Sequence, residues 1–211
     1  MFFKKFKPAA FAFIAFFCSA FVTEAYLDRA IAGVEKNLDE FKSLAAEKYN
    51  DLKKLLPKDS SSEAIESFAE SNFDLSYIAS NACKKNLSKD EAAGLAPYIK
   101  KFSRFLFKGE AIQKVISLDI NTEKMIVTPK KKLTFVDCEL SDGTKFKAVF
   151  LPNKKLVDLS CLGISVLGTL DAVVSKYCNL KKINFQSKEN AGRVDLIKSA
   201  VNWHIEGQPQ N

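Results

Sequence analysis

Apolar positions along this chain change period once, near Gly109, dividing it into a helical first part and a stranded second part. From Tyr26 to Leu56 the residues Leu27, Ile31, Val34, Leu38, Phe41, Ala45, Leu52 and Leu55 fall mostly three or four apart, which is the spacing of an amphipathic helix with one sticky face. Pro57 and the Ser60-Ser61-Ser62 tract end it. A second helical region covers Ala64 to Lys85, with Phe68, Phe73, Leu75 and Ile78 among its apolar positions. Ser88-Lys89-Asp90-Glu91 then forms a capping box, in which Ser88 accepts from the amide of Glu91 and the Glu91 carboxylate reaches back to the cap. Behind it Ala92, Leu95, Ile99, Phe102 and Leu106 recur at intervals of three and four, while Lys100, Lys101 and Arg104 point away. Pro97 falls inside this helix, removes a backbone hydrogen bond and predicts a kink; Gly109 ends the run.

Beyond Gly109 the segments Val115 to Asp119, Lys124 to Thr128, Leu133 to Leu140, Lys145 to Leu151 and Leu156 to Ile164 read as strands. Asp142-Gly143 is a hairpin turn signal, and Pro152-Asn153 is a second turn. A last helical stretch runs from about Lys188 to Ile205. Helices first and an antiparallel meander afterwards give an α+β class, with the helices on one side of the sheet.

The N-terminus bears on compartment. Met1 to Lys7 carries three lysines, Pro8 to Val22 is almost unbroken apolar sequence rich in Phe and Ala, and Thr23 and Ala25 are small residues before Tyr26. This pattern is that of a secretory signal peptide over residues 1–25. An uncleaved anchor would want ~20 apolar residues, and the run is shorter. Cleavage after Ala20 is an alternative, and Phe16 and Phe17 stand where a lipoprotein site at Cys18 would need small residues. The expected products are a single domain over residues 26–205 and a polar tail over residues 206–211, located in the periplasm.

Removing residues 1–25 takes away three lysines and Glu24, so the charge falls from +7 to +5. Lys130, Lys131 and Lys132 form the densest basic run. They can meet anionic headgroups at ~1 kcal/mol each, but free use of Lys elsewhere favours an ordinary solvated loop. Neither zinc-ligand spacing nor an RNP-like aromatic pattern is present, and export argues further against nucleic acid. Four cysteines remain, Cys83, Cys138, Cys161 and Cys178. They permit two disulfides in any of three pairings, or serve as small buried residues; no pair has C-x-x-C spacing for zinc.

Leu156 to Tyr177, LVDLSCLGISVLGTLDAVVSKY, places an Asp158-bearing strand, a Gly163-Ile164-Ser165 exit and an apolar helical segment in succession. This closing segment is similar to that of the MlaC (toluene-tolerance) family of periplasmic phospholipid carriers, where an aspartate-bearing strand runs into Gly-Val-Ser and a helix. Phe73-Asp74-Leu75-Ser76-Tyr77-Ile78, followed ten residues later by Ser88-Lys89-Asp90-Glu91 and the aromatic helix, resembles the family's module of an apolar helix before a Ser/Thr-capped helix with repeated Phe. The likeness covers roughly Leu56 to Lys182. Cys83 stands near the family's usual Leu-Gly, Gly109 replaces an aromatic region, Lys154-Lys155 stand where a Trp is usual, and Asp171 falls near a usually basic place. These departures bear on the partner-docking surface more than on the fold.

The resemblance implies a curved antiparallel sheet wrapped by helices, a cystatin/NTF2-like cone enclosing an apolar cavity. It further implies a non-enzymatic carrier that shuttles phospholipid between an outer-membrane lipoprotein and an inner-membrane ABC transporter, with lipid as cargo and no cofactor or metal. Each methylene taken out of water contributes about 0.8 kcal/mol, so such a pocket wants apolar walls. The implied lining residues are Ile78, Ile99, Phe102, Leu106, Phe135, Phe146, Val149, Leu159, Leu162, Ile164, Leu167 and Val174, each of which taken singly also reads as core packing. An enzyme in the same cone would need a carboxylate or Tyr facing the cavity, for which Asp137, Asp158 and Tyr77 are the candidates. Asp158 reads better as a partner for strand-end amides, and His204, the sole histidine, sits beside Trp203 in a terminal segment. A third class, a protein-binding adaptor, predicts a filled core and an exposed apolar stripe on the first helix.

Overall fold

The computed structural model describes residues 37–55, 61–82, 87–107, 112, 115–162 and 164–207. The expected signal peptide, the first turns of the Tyr26 to Leu56 helix, Pro57, Ser60, Cys83, Gly109, Gly163 and the end of the polar tail lie outside them. The chain divides into two compact units, Met1–Glu40 and Phe41–Asn211. The described part of the first unit is residues 37–40, which begin helix α1 (37–55). Everything that follows concerns the second unit.

Three helices come next: α2 (Ser62–Asn72), α3 (Leu75–Ala82) and α4 (Lys89–Phe107). The single helix expected over Ala64 to Lys85 is two, because Asp74 interrupts it. Its carboxylate accepts from the amide of Tyr77 at 2.8 Å and so caps α3, while its own amide donates to the carbonyl of Leu156 at 2.8 Å. Asp favours that local bond over continued helix, the same preference that makes it an N-cap. The capping box forms as expected: the amide of Ser88 donates to Glu91 Oε2 at 2.8 Å, and the amide of Glu91 donates to Ser88 Oγ at 3.2 Å. Helix α4 runs on through Pro97 and buries Ala92, Leu95, Ile99, Phe102 and Leu106.

Val115 to Asp119 is not a strand. Ile112 and Val115 are helical, and the amide of Ile116 donates to the carbonyl of Ile112 at 3.0 Å. A short apolar run does not distinguish strand from buried helical turn by period alone. The five strands are β1 (Ile120–Lys130), β2 (Leu133–Leu140), β3 (Lys145–Phe150), β4 (Leu156–Cys161) and β5 (Ile164–Ser165). They form one antiparallel meander in chain order. Lys130, Lys131 and Lys132 are exposed at the β1–β2 hairpin, and Gly143 takes φ +86° in the β2–β3 turn.

Register fixes the two faces of the sheet. Val136 opposite Ala148 and Cys138 opposite Phe146 lie on the buried face, with Leu140 and Phe150 in the same alternation. Phe135 opposite Val149, Asp137 opposite Lys147 and Glu139 opposite Lys145 lie on the other. That second face carries ion pairs: Lys147 to Asp137 at 3.0 Å, and Lys124 and Lys145 both on Glu139 at 2.6 and 2.5 Å. A bulge between β3 and β4 leaves Val157 as an extra residue, so Leu156 and Val157 are buried in succession.

Helices α5 (Val166–Leu180) and α6 (Asn190–Glu206) close the chain. Helix α6 packs on α4 and α5, and α5 packs on α3 and β4. Helix α1 lies over β3, its Phe41 ring 5.6 Å from Phe150 and its Tyr49 ring 5.1 Å from Phe146. The result is a mixed α+β domain with an open five-stranded antiparallel sheet among the described residues.

Candidate functional site

Helix α1, the end of α4 and the buried face of the sheet meet around an apolar cavity of about 30 Å³. Tyr49 and Leu52 come from α1, and Leu106 and Phe107 from α4. Ile112, Val115 and Ile116 add a third wall; Phe146, Leu159, Ser160 and Cys161 form the sheet side; Ile164, Ser165 and Val166 close the end. Among the described residues no carboxylate, lysine or histidine lines it.

Three of the polar side chains at the wall, those of Tyr49, Cys161 and Ser165, bond within the protein. Tyr49 is 1% exposed, and its hydroxyl donates to the carbonyl of Val115 at 2.8 Å, with that of Leu118 3.1 Å away. Burial pushes its pKa up to about 12. Cys161 Sγ donates to the carbonyl of Lys145 at 3.3 Å, and Ser165 Oγ accepts from the amide of Gly168 at 2.8 Å as N-cap of α5. Burial raises the pKa of the Cys161 thiol as well.

Four of the residues named from sequence, Leu106, Phe146, Leu159 and Ile164, lie on this cavity. Ile78, Ile99, Phe102 and Val174 are buried in the packing between helices, and Leu167 is half-buried at the start of α5. None of those five lines the cavity. Phe135 and Val149 face each other on the opposite side of the sheet, where alternation places them once Val136 and Ala148 point inward. Leu162 is 58% exposed with φ +52°, because the β4–β5 reversal turns it out of the strand. Sequence reading passed over Tyr49, although it continues the Phe41, Ala45 spacing by four, and missed Val115 and Ile116 through the strand assignment.

The candidate acids do not reach the cavity. Asp158 accepts from the amide of Leu167 at 3.3 Å, so it serves the N-terminus of α5 together with Ser165. Burial raises its pKa, opposed by the amides of Leu167 and Val166 and the Ser165 hydroxyl. Asp137 pairs with Lys147 on the outer face, and Tyr77 is half-buried on α3. His204 packs edge-on against Phe105, ring centres 4.4 Å apart, and its Nε2 is buried without a hydrogen-bond partner. Burial, with a smaller effect from Lys176, lowers its pKa.

Cys138, Cys161 and Cys178 are buried free thiols, so no two of them form a disulfide. Cys138 and Cys161 both register with Phe146, one from each neighbouring strand, which sets them two strand spacings apart, about 10 Å. That exceeds the reach of a bridge. Among the described residues no group of three or more His, Cys, Asp or Glu is placed to hold a metal, and no helix is long and apolar enough to cross a membrane. Comparison with known proteins finds no matching family model and no matching curated protein.

Proposed function

We propose that this protein is a periplasmic carrier of glycerophospholipid, of the MlaC type, whose acyl chains enter between α1 and the sheet. The observation that carries the reading is the cavity: walled mainly by aliphatic and aromatic side chains, with no carboxylate, lysine or histidine among the described residues that line it. Such walls suit hydrocarbon, and the acids named for the enzyme alternative are not among them. The strand, Ser165 cap and helix that close the domain support the resemblance that first suggested the family. On the same resemblance, the carrier exchanges its cargo with an outer-membrane lipoprotein and an inner-membrane ABC transporter.

Ligand pockets run to about 300–1,000 Å³, so a cavity of about 30 Å³ must widen to hold acyl chains. Uptake therefore requires α1 to draw back from β3, breaking the Phe41–Phe150 and Tyr49–Phe146 contacts. The same small volume fits the filled core of a second reading, a protein-binding adaptor, although Phe41, Ala45, Tyr49 and Leu52 of α1 are buried and form no exposed stripe.

Native mass spectrometry with lipid extraction, on protein purified from a bacterial periplasm, separates the two. The carrier reading expects a stoichiometric phospholipid adduct that disappears in Leu106→Trp, which fills the cavity while the far-ultraviolet spectrum is kept. A lipid-free mass, together with no uptake from labelled liposomes, would overturn it and leave the adaptor.

A further inference from the structure

We infer that the end of α5 and the turn after it form a docking surface for an anionic lipid bilayer. Between Ala172 and Lys188 the chain carries Lys176, Lys181, Lys182 and Lys188 and no acidic residue. Lys176, Lys181 and Lys182 are exposed, and none of the three ion-pairs with a carboxylate among the described residues. On the sheet and on α4 several lysines are locally neutralised instead: Lys124 and Lys145 share Glu139, Lys147 holds Asp137, and Lys100 holds Glu70.

The backbone gathers these residues at one corner. The amides of Lys181, Lys182 and Ile183 donate to the carbonyls of Tyr177, Asn179 and Cys178, and Lys182 takes φ +56°, so the helix ends in a tight reversal. Leu180, 61% exposed, sits immediately before the lysine pair. About one turn earlier on α5, Tyr177 and Lys176 meet Trp203 of α6, which is half-buried, its ring 5.8 Å from that of Tyr177 and 5.8 Å beneath the Lys176 ammonium. An exposed leucine with a half-buried Trp–Tyr pair adds the apolar and amphipathic elements that the headgroup zone accepts, with hydrocarbon below it. By comparison Lys130, Lys131 and Lys132 offer a basic hairpin without such aromatic company.

The surface stands independently of the carrier reading, since none of its residues lines the cavity. The test is sedimentation of protein purified from cells expressing the full chain, with vesicles of phosphatidylcholine alone or with a third phosphatidylglycerol. Binding is expected only with the anionic lipid and is lost as salt is raised. Lys181→Gln with Lys182→Gln should weaken it roughly 25-fold, about fivefold for each lysine. Leu180→Ser should weaken it without changing the salt dependence. Lys130→Gln, Lys131→Gln and Lys132→Gln together should leave it unchanged. Equal binding to both vesicles, loss through the hairpin variant instead, or capture by polyglutamate but not by anionic vesicles would overturn the inference. A chain that carries no phospholipid yet sediments as expected leaves this surface standing and removes the carrier reading alone.

Discussion

Replacing Tyr49 by Phe removes one oxygen from the wall of the cavity and leaves its shape and apolar character intact. The hydroxyl is buried and donates to the carbonyl of Val115 at 2.8 Å. The carbonyl of Leu118 keeps a second donor in Lys53 Nζ at 3.1 Å, and that of Val115 keeps the amide of Leu118 at 3.0 Å, so neither carbonyl is stranded. The loss is that of one hydrogen bond, about 0.5–1.5 kcal/mol. In a domain of this size that lowers the melting temperature by roughly 1–6 °C. Urea and thermal unfolding followed by circular dichroism should show the loss at neutral pH. The pH dependence gives a second check. Burial holds the native pKa of Tyr49 near 12, above its ordinary value of 10.0, so the folded protein keeps this proton more tightly than the unfolded chain. The resulting stability is fully present below pH 10 and is lost as pH rises through 12, in the native protein but not in the variant. The gap between them should therefore narrow above pH 10. A variant of unchanged stability at pH 7 would refute the bond to Val115.

Other substitutions probe the remaining assignments. Phe102→Ala removes a fully buried ring between helices and should cost about 3–5 kcal/mol, whereas Leu162→Gly, at an exposed position with φ +52°, should leave stability unchanged or raise it by up to about 1 kcal/mol; denaturant midpoints decide both. Ser88→Ala should cost about 1 kcal/mol in the same measurement, because the amide of Glu91 loses its acceptor. His204 has its pKa lowered by burial, so near pH 6 the unfolded chain binds more protons than the folded one. Stability should fall as pH drops below 6.5, and His204→Gln should remove that component; an unchanged pH profile of the melting temperature would contradict the burial of Nε2 against Phe105.

Several features were legible because they depend on neighbours in sequence. The capping box at Ser88 to Glu91 and the Asp142-Gly143 turn are short-range bonding patterns, and both are present. Residues 133–140 read as a strand because alternation with β-branched and aromatic residues is strong there, and β2 has those bounds. The break at Asp74 was also written locally, as a capping Asp between two apolar runs, but helical periodicity on either side concealed it. Apolar patterning says which residues avoid water without saying which of them share a surface. Phe135, Phe146, Val149 and Leu162 looked alike in sequence, yet only Phe146 reaches the cavity.

What the sequence determined by itself is most of the elements and those ends that caps and turns mark, since 3.6-residue and two-residue periods, caps and turns act over a few residues; the run from Val115 to Asp119 and the break at Asp74 are exceptions. Tertiary structure alone decided where the cavity sits, how small it is, and which acids are kept from it. Strand register sends Phe135 and Phe146 to opposite faces, the reversal after β4 turns Leu162 outward, and α1 folds Tyr49 onto Phe146 from nearly a hundred residues away. Those outcomes follow from close packing and from the pairing of buried polar groups across distant segments, which no local pattern encodes.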